Sequence, residues 1–208
     1  MPESTNQKTS VFATLLALKT TPRTGWVDRG IPVEVAESVA EHSLQTALIA
    51  WMTALAHPER ELDADRVLKL ALVHDLAEAL IGDIPPYEAS EIPASAAERR
   101  AFFAVRRVRT PEQAAVKRAA EADATERLLA MMPEVVRAAI GSLLHEYEAR
   151  ETPESRFVKE VDALETFLQA RAYAAEHPDV PLDGFTDMAM HAIADEDLAT
   201  LRDEGMAR

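Results

Sequence analysis

The sequence contains no cysteine. Disulfide scaffolds, zinc ribbons and thiol nucleophiles are therefore excluded, and any metal must be held by His, Asp or Glu. Aromatic residues make up only 5% of the chain, and glycine only 6 of 208 residues. No stretch alternates apolar and polar residues cleanly, and no Asn-Gly or Asp-Gly joins two β-branched runs. A composition led by Ala and Leu favours helices over sheets. Positive charge is scarce: 22 Lys and Arg stand against 36 Asp and Glu, a formal charge of −14. That balance speaks against a nucleic-acid polymer as partner, since counterion release needs clustered cations. It speaks equally against an anionic membrane surface. A phosphorylated ligand would have to be drawn by local charge, from a metal or a few arginines. Long hydrophobic runs are missing too. None reaches the ~18 residues of a membrane span. One apolar segment is broken by His74, Asp75 and Glu78, another by Gln45 and Thr46. Residues 1–10 are polar and lack the apolar core of a signal peptide. A cytoplasmic protein is expected.

What is present reads as helices. At this length one domain, residues 1–208, is expected, burying roughly 70% of the surface of its unfolded chain. Helices are expected over 10–19, 33–56, 64–81, 110–131, 133–149, 152–176 and 185–202. Thr21-Pro22 closes the first, because the residue before proline avoids the helical region. Thr110-Pro111-Glu112-Gln113 is a capping box with proline at the first helical position. Thr152-Pro153-Glu154 caps another helix. His57-Pro58 and His177-Pro178 mark C-terminal ends. Residues 91–107 mix charges and read as a solvated helix. Its arginines, with Arg109, form the one basic cluster, expected at the surface or a dimer rim. Residues 20–32 and 82–94, rich in Pro and Gly, are expected to be non-helical. The fold class is all-α, a helical bundle.

The helix at 64–81 carries the unusual chemistry. It is apolar nearly all round beyond Lys69, so it should be buried, yet it holds His74, Asp75 and Glu78. Buried charge is costly unless paired or metal-bound. His74 and Glu78 are four apart and would share a helix face. A His-Asp pair arises easily by chance, and a core histidine with an exposed aspartate beside it is the plain alternative. His42 lies mid-helix in a row with Val39, Thr46 and Ile49. Asp162 flanks the stripe Phe157, Val161, Leu164 and Leu168. Its own row, which includes Glu165, reads as a solvated face. Three helices thus offer His, His-Asp and Asp. Packed together they would surround one divalent cation with two imidazoles and two carboxylates, an N/O set that suits Mn, Co, Fe, Ni or Zn.

The order His42, His74-Asp75, Asp162 resembles the HD-domain metal-dependent phosphohydrolases. The matching stretches are PRTGW (22–26) with Arg29-Gly30, ESVAEHS (37–43), ALVHDLAEALIGDIPP (71–86), EYE (146–148) and SRFVKEVDALE (155–165). They are similar to one branch of that family, the 5′-deoxynucleotidases of the bacterial YfbR type and the relatives of HD-domain-containing protein 2. The resemblance covers about 20–170, with the helix at 185–202 packing on that core.

It implies an HD-domain helical bundle, one divalent metal, a homodimer, and hydrolysis of (deoxy)nucleoside 5′-monophosphates to nucleoside and phosphate. It implies His42, His74, Asp75 and Asp162 as metal ligands, Glu78 as the group that assists the attacking water, and Asp83 as a second acidic residue at the substrate. Trp26 matches a tryptophan beside the sugar; a loop aromatic plugging the core is the other reading. The branch places an arginine directly before that tryptophan. Here Gly25 stands there, so phosphate recognition falls to Arg23 or Arg29. Two-metal HD enzymes carry two further histidines between the HD pair and the final aspartate, and this chain has only His145 there. Competing readings are hydrolysis of another phosphomonoester or a nucleoside triphosphate, or a non-catalytic helical regulatory protein. Glu78 and Asp83 together favour an enzyme.

Overall fold

A computed structural model describes residues 11–207 of the chain. Residues 1–10, with the expected helix start at Ser10, lie outside the described residues. Among the described residues there are helices and no strand beyond an isolated bridge between Pro22 and Ser38. Residues 11–15 form α1, which tightens into a 3₁₀ turn over Leu16–Lys19. The remaining helices are α2 Thr24–Val27, α3 Val39–Ala56, α4 Ala64–Val73, α5 Glu78–Ile81, α6 Ala96–Phe103, α7 Pro111–Ala130, α8 Glu134–Ala149, α9 Pro153–Glu176, α10 Asp183–Ala192 and α11 Glu196–Met206. No helix of the described residues is long and apolar enough to cross a membrane.

The caps explain where most helices begin. Thr110 accepts from the Gln113 amide, and Gln113 returns the bond, so α7 starts as the sequence predicts. Thr152 caps α9 through Ser155. His57 and His177 close α3 and α9. Several boundaries differ from expectation. The helix expected from residue 33 begins at Val39, where Ser38 and Glu41 form a capping box. Residues 37–39 are instead pinned to 21–23 by Arg23 N–H to the Glu37 carbonyl and Val39 N–H to the Thr21 carbonyl. The loop at 20–32 contains the single turn α2. Ala89–Glu91 form a 3₁₀ turn inside the stretch expected to be non-helical, and between 92 and 107 only Ala96–Phe103 is helical, its end anchored by buried Phe103. The C-terminal helix is two helices, because Glu160 Oε2 accepts the amides of Ala194 and Asp195 and Asp195 caps α11.

The last difference falls on the functional helix. Residues 64–81 split into α4 and α5 at His74–Ala77. There the amides bond three residues back: Leu76 to Val73, Glu78 to Asp75, Ala79 to Leu76. His74 Nδ1 also occupies the Ala71 carbonyl at 2.7 Å. In such a 3₁₀ stretch, side chains three apart eclipse. Glu78 therefore stands over Asp75 rather than over His74. Gly82, with φ +73°, ends α5 and turns the chain toward Asp83.

The main core lies where α3, α4, α8 and α9 meet. Ala47, Ala50 and Ala54 of α3 face Val67, Leu70 and Ala71 of α4, and Phe157, Val161 and Leu164 of α9 fill the centre. The small side chains of α3 allow close approach. His42 and His74 are thus carried at one end of a packed hairpin, against α9. A second cluster, built on Trp26, Ile31, Tyr173 and Leu182, fastens the loop at 20–32 onto the far half of α9.

Candidate metal centre

Two histidines point their outer ring nitrogens into one buried space. His42 is fully buried, and its Nδ1 lies 2.5 Å from Glu165 Oε2. His74 commits its Nδ1 to the Ala71 carbonyl. A carbonyl only accepts, so that Nδ1 carries a proton and Nε2 is the nitrogen turned into the shared space. The Nε2 atoms of both rings are buried without a hydrogen-bond partner. His42 Nε2 stands 3.2 Å from Asp162 Oδ1 and 3.8 Å from Asp75 Oδ2. His74 Nε2 stands 3.1 Å from Asp75 Oδ2. The ligand atoms of His42, His74 and Asp162 all lie within 4.8 Å of one another. Buried polar atoms are normally paired. Two unpaired imidazole nitrogens facing two carboxylates fit a divalent cation, with N/O ligands of the kind the sequence predicted.

Neighbouring groups hold these side chains in place. Asp162 gives its second oxygen, Oδ2, to Lys159 Nζ at 2.7 Å and to the Tyr147 hydroxyl at 3.2 Å, which leaves Oδ1 toward His42. Burial opposes charge on both aspartates. His74 and Arg23 outweigh it at Asp75, Lys159 and His42 at Asp162, so both carboxyls stay well below the usual carboxylate range. At His42, burial and Arg23 oppose a second proton, but the nearby carboxylates of Asp162 and Glu165 outweigh them and push the pKa up to about 10. A cation in the cluster competes with that proton for Nε2.

Arg23 Nη1 donates to Asp75 Oδ2 at 3.1 Å, so of the two candidate arginines this one reaches the cluster. Asp83 fixes it there. Its Oδ2 accepts the Thr24 amide at 2.6 Å and its carbonyl accepts the Thr24 hydroxyl at 2.7 Å, stapling the loop at 20–32 to the loop after α5. Glu78 is buried, with Oε2 unpartnered. Burial, then the charges of Asp75 and Asp83, push its carboxyl up to about 9. A carboxyl raised in this way is suited to holding and passing a proton.

Two residues expected at the substrate lie elsewhere. Arg29 is only 7% exposed, held between the rings of Phe103 and Phe185 at 4.3 and 4.1 Å. Its guanidinium serves the core and the Gly25 carbonyl, not a phosphate. Trp26 is 1% exposed and packs on Tyr173 and Phe185. It plugs the core, with Nε1–H donated to Glu37 Oε2 at 3.1 Å. Conversely, Glu165, which the helical row put on a solvated face, is 1% exposed and grips His42. Glu37 faces it from the other side; burial and the Glu165 charge push Glu37 up to about 8. The signal for Glu165 was His42 itself, since a buried imidazole needs a partner for each nitrogen.

A model of the HD domain matches residues 15–200. The chain belongs to the HD-domain family. The mouse protein 5′-deoxynucleotidase HDDC2 is 36% identical over 156 residues, 75% of this chain and 64% of that protein. Its human counterpart is 35% identical over 171 residues, 82% of this chain and 70% of that protein. The chain thus spans about 64% of the mouse relative's length. Among solved structures, a conserved hypothetical protein from Pyrococcus furiosus superposes with a TM-score of 0.68 at 25% identity, covering 96% of this chain and 99% of that one. In this HD domain the His-Asp pair that names the family sits where α4 tightens. The 3₁₀ stretch explains how one short segment turns His74, Asp75 and Glu78 toward a single space.

Proposed function

We propose that the chain is a metal-dependent phosphohydrolase that releases phosphate from nucleoside 5′-monophosphates, deoxynucleotides included. The observation that carries this reading is the pair of unpartnered Nε2 atoms of His42 and His74 facing Asp75 and Asp162, with Arg23 and Glu78 alongside. The names of the mouse and human relatives support the substrate class. His42, His74, Asp75 and Asp162 would hold one ion, drawn from Mn, Co, Fe, Ni or Zn. Such an ion supplies a Lewis acid for a phosphoryl oxygen and lowers the pKa of a bound water toward about 7.

The side chains do the rest. With the Asp75 charge offset by a bound ion, Glu78 would stand as a carboxylate and take a proton from the attacking water as that water's oxygen bonds to phosphorus. The P–O5′ bond breaks, and the proton on Glu78 balances the alkoxide that leaves. Arg23 offsets charge on the phosphoryl oxygens. Asp83 keeps Arg23 in place through Thr24 and adds an acidic group on the substrate side. One HD domain over 1–208, action in the cytoplasm and assembly as a homodimer belong to the same reading. Leu44, Leu48, Met52 and Leu55, an exposed apolar stripe on α3, support the dimer. Steady-state phosphate release from dAMP, AMP, dTMP and a cyclic dinucleotide tests the proposal. Release from the monophosphates is expected. Faster cleavage of the diester, or no release from any monophosphate, would overturn it.

A further inference from the structure

Asp83 sits in a loop with little backbone support. Gly82, with φ +73°, turns the chain out of α5, and Pro85 and Pro86 follow without an amide hydrogen. Among the described residues, none of residues 83–86 takes part in a backbone–backbone hydrogen bond. A carbonyl shielded from water needs a donor, and here side chains supply it. The Asp83 carbonyl accepts the Thr24 hydroxyl at 2.7 Å. The next carbonyl, that of Ile84, accepts Arg109 Nη2 at 2.5 Å. The loop is thus held from two sides, by Thr24 and by Arg109.

Arg109 belongs to the basic cluster expected at the surface or a dimer rim. The structure disperses that cluster. Arg100 donates to the Asp179 carbonyl, and Arg107 lies over the Phe102 ring at 3.9 Å. Arg109 turns inward and is partly buried. Burial lowers its pKa against the pull of Glu121, Asp83 and Glu78, so its guanidinium lies within the field of carboxylates at the site. The backbone on either side is anchored. Phe103, fully buried, holds the end of α6 against the Arg29 guanidinium. The Arg106 amide donates to Asp187 Oδ2 at 2.9 Å, and Thr110 caps α7. Arg109 stands between these anchors, so the fold itself aims it at Ile84.

We propose that Arg109 is a positioning residue of the reaction. By holding the Ile84 carbonyl it fixes the loop at 82–84, so that Asp83 stays on the substrate side and, through Thr24, keeps Arg23 at Asp75. This rests on the monophosphate reading above and adds to it a residue on which the reacting groups depend. Arg109 acts on the loop carbonyl and not on the phosphate.

Two measurements test it. The first needs no turnover. In metal-free protein the Thr24 amide, which donates to Asp83 Oδ2 at 2.6 Å, should exchange with solvent about tenfold or more faster in Arg109→Ala than in wild type, the mark of a locally loosened segment. The Val39 amide, bonded to the Thr21 carbonyl on the same loop as Thr24, should exchange at the wild-type rate. The second is a double-mutant cycle on kcat/KM for dAMP with metal-loaded protein. Arg109→Ala should lower it by about 10- to 100-fold, the scale of a small misplacement of reacting groups. In the Asp83→Ala background the loop has no carboxylate left to place, and the same change should cost less than about threefold, because residues acting as one unit do not add. Unchanged exchange at Thr24 would overturn the tether. Full multiplication of the two effects would overturn the positioning role, since Arg109 would then act on the substrate by itself. Wild-type protein that releases phosphate from no monophosphate would overturn the nucleotidase reading, and exchange at Thr24 would still decide whether Arg109 holds the loop.

Discussion

Glu165 Oε2 lies 2.5 Å from His42 Nδ1, and both side chains are shut off from solvent. The carboxylate fixes which ring nitrogen carries the proton and turns the other toward Asp162. Partners of this kind typically contribute 10–100-fold to metal affinity. Glu165→Ala should therefore weaken binding of Mn²⁺ or Co²⁺ to chelator-treated protein by about that factor, read by calorimetric titration. Glu165→Gln, which can still accept from Nδ1, should recover part of the loss. Equal affinity in all three proteins would reduce Glu165 to a packing role.

Metal content should approach one ion per chain in protein purified without chelator. Among the described residues, three groups of side chains have ligand atoms close enough for a metal. One is His42, His74 and Asp162. The second, Glu37, His42 and Glu165, reuses His42 through the nitrogen already bonded to Glu165. The third, His57, Glu59 and Asp197, is satisfied by Arg60, which pairs with Asp195 and Asp197. Elemental analysis should give about one equivalent, and His74→Ala should lose it. A value near two would contradict a single centre.

The candidate ligands were legible in the sequence because their residue types are rare in apolar helices. A histidine among Val39, Thr46 and Ile49 needs an explanation that a surface histidine does not. The capped helices α7 and α9 were legible for the same local reason. What escaped was tertiary. Nothing local marks the 3₁₀ stretch at His74–Ala77, since it holds neither Gly nor Pro, and it moves Glu78 from above His74 to above Asp75. Glu165 shares a helical row with Gln169 and reads as solvated until α3 is packed over it. Trp26 sits among prolines and glycines in a loop, yet Tyr173 and Phe185 bury it from far along the chain.

Glu78 separates binding from turnover. Its Oε2 has no hydrogen-bond partner and it is not among the atoms clustered for the metal. Glu78→Ala should retain the ion and lose turnover by roughly 10²–10⁴-fold, the usual contribution of a general base. Parallel metal analysis and phosphate-release kinetics check this. Wild-type rates would make Glu78 a structural carboxyl.

Assembly should depend on α3. Leu44, Leu48, Met52 and Leu55 recur at helical spacing on its outer face and are all exposed. Apolar residues arranged in one patch mark an association surface, and two-fold dimers are the commonest oligomers. Sedimentation at micromolar concentration should give a dimer, and Leu48→Glu with Met52→Glu should give a monomer. A monomeric wild type would contradict the assignment.

Trp26 decides between two roles that the sequence left open. A tryptophan over the sugar would set the preference for deoxynucleotides, and its loss would narrow the ratio of dAMP to AMP turnover. The structure instead gives Trp26 the work of a core residue: the ring is wedged between Tyr173 and Phe185, and its Nε1–H satisfies Glu37, which faces Glu165 and through it His42. Trp26→Ala should cost about 3–5 kcal/mol of stability, as large aromatic truncations in cores do. At roughly 2–4 °C per kcal/mol for a chain of this size, the melting temperature should fall steeply. Trp26→Phe keeps most of the apolar contact and removes the donor to Glu37, so it should fold, melt somewhat lower and bind metal more weakly. In that variant the dAMP to AMP ratio of kcat/KM should equal the wild-type ratio, because no part of the ring is open to a ligand. A narrowed ratio with an unchanged melting temperature would return Trp26 to the sugar and remove the core assignment.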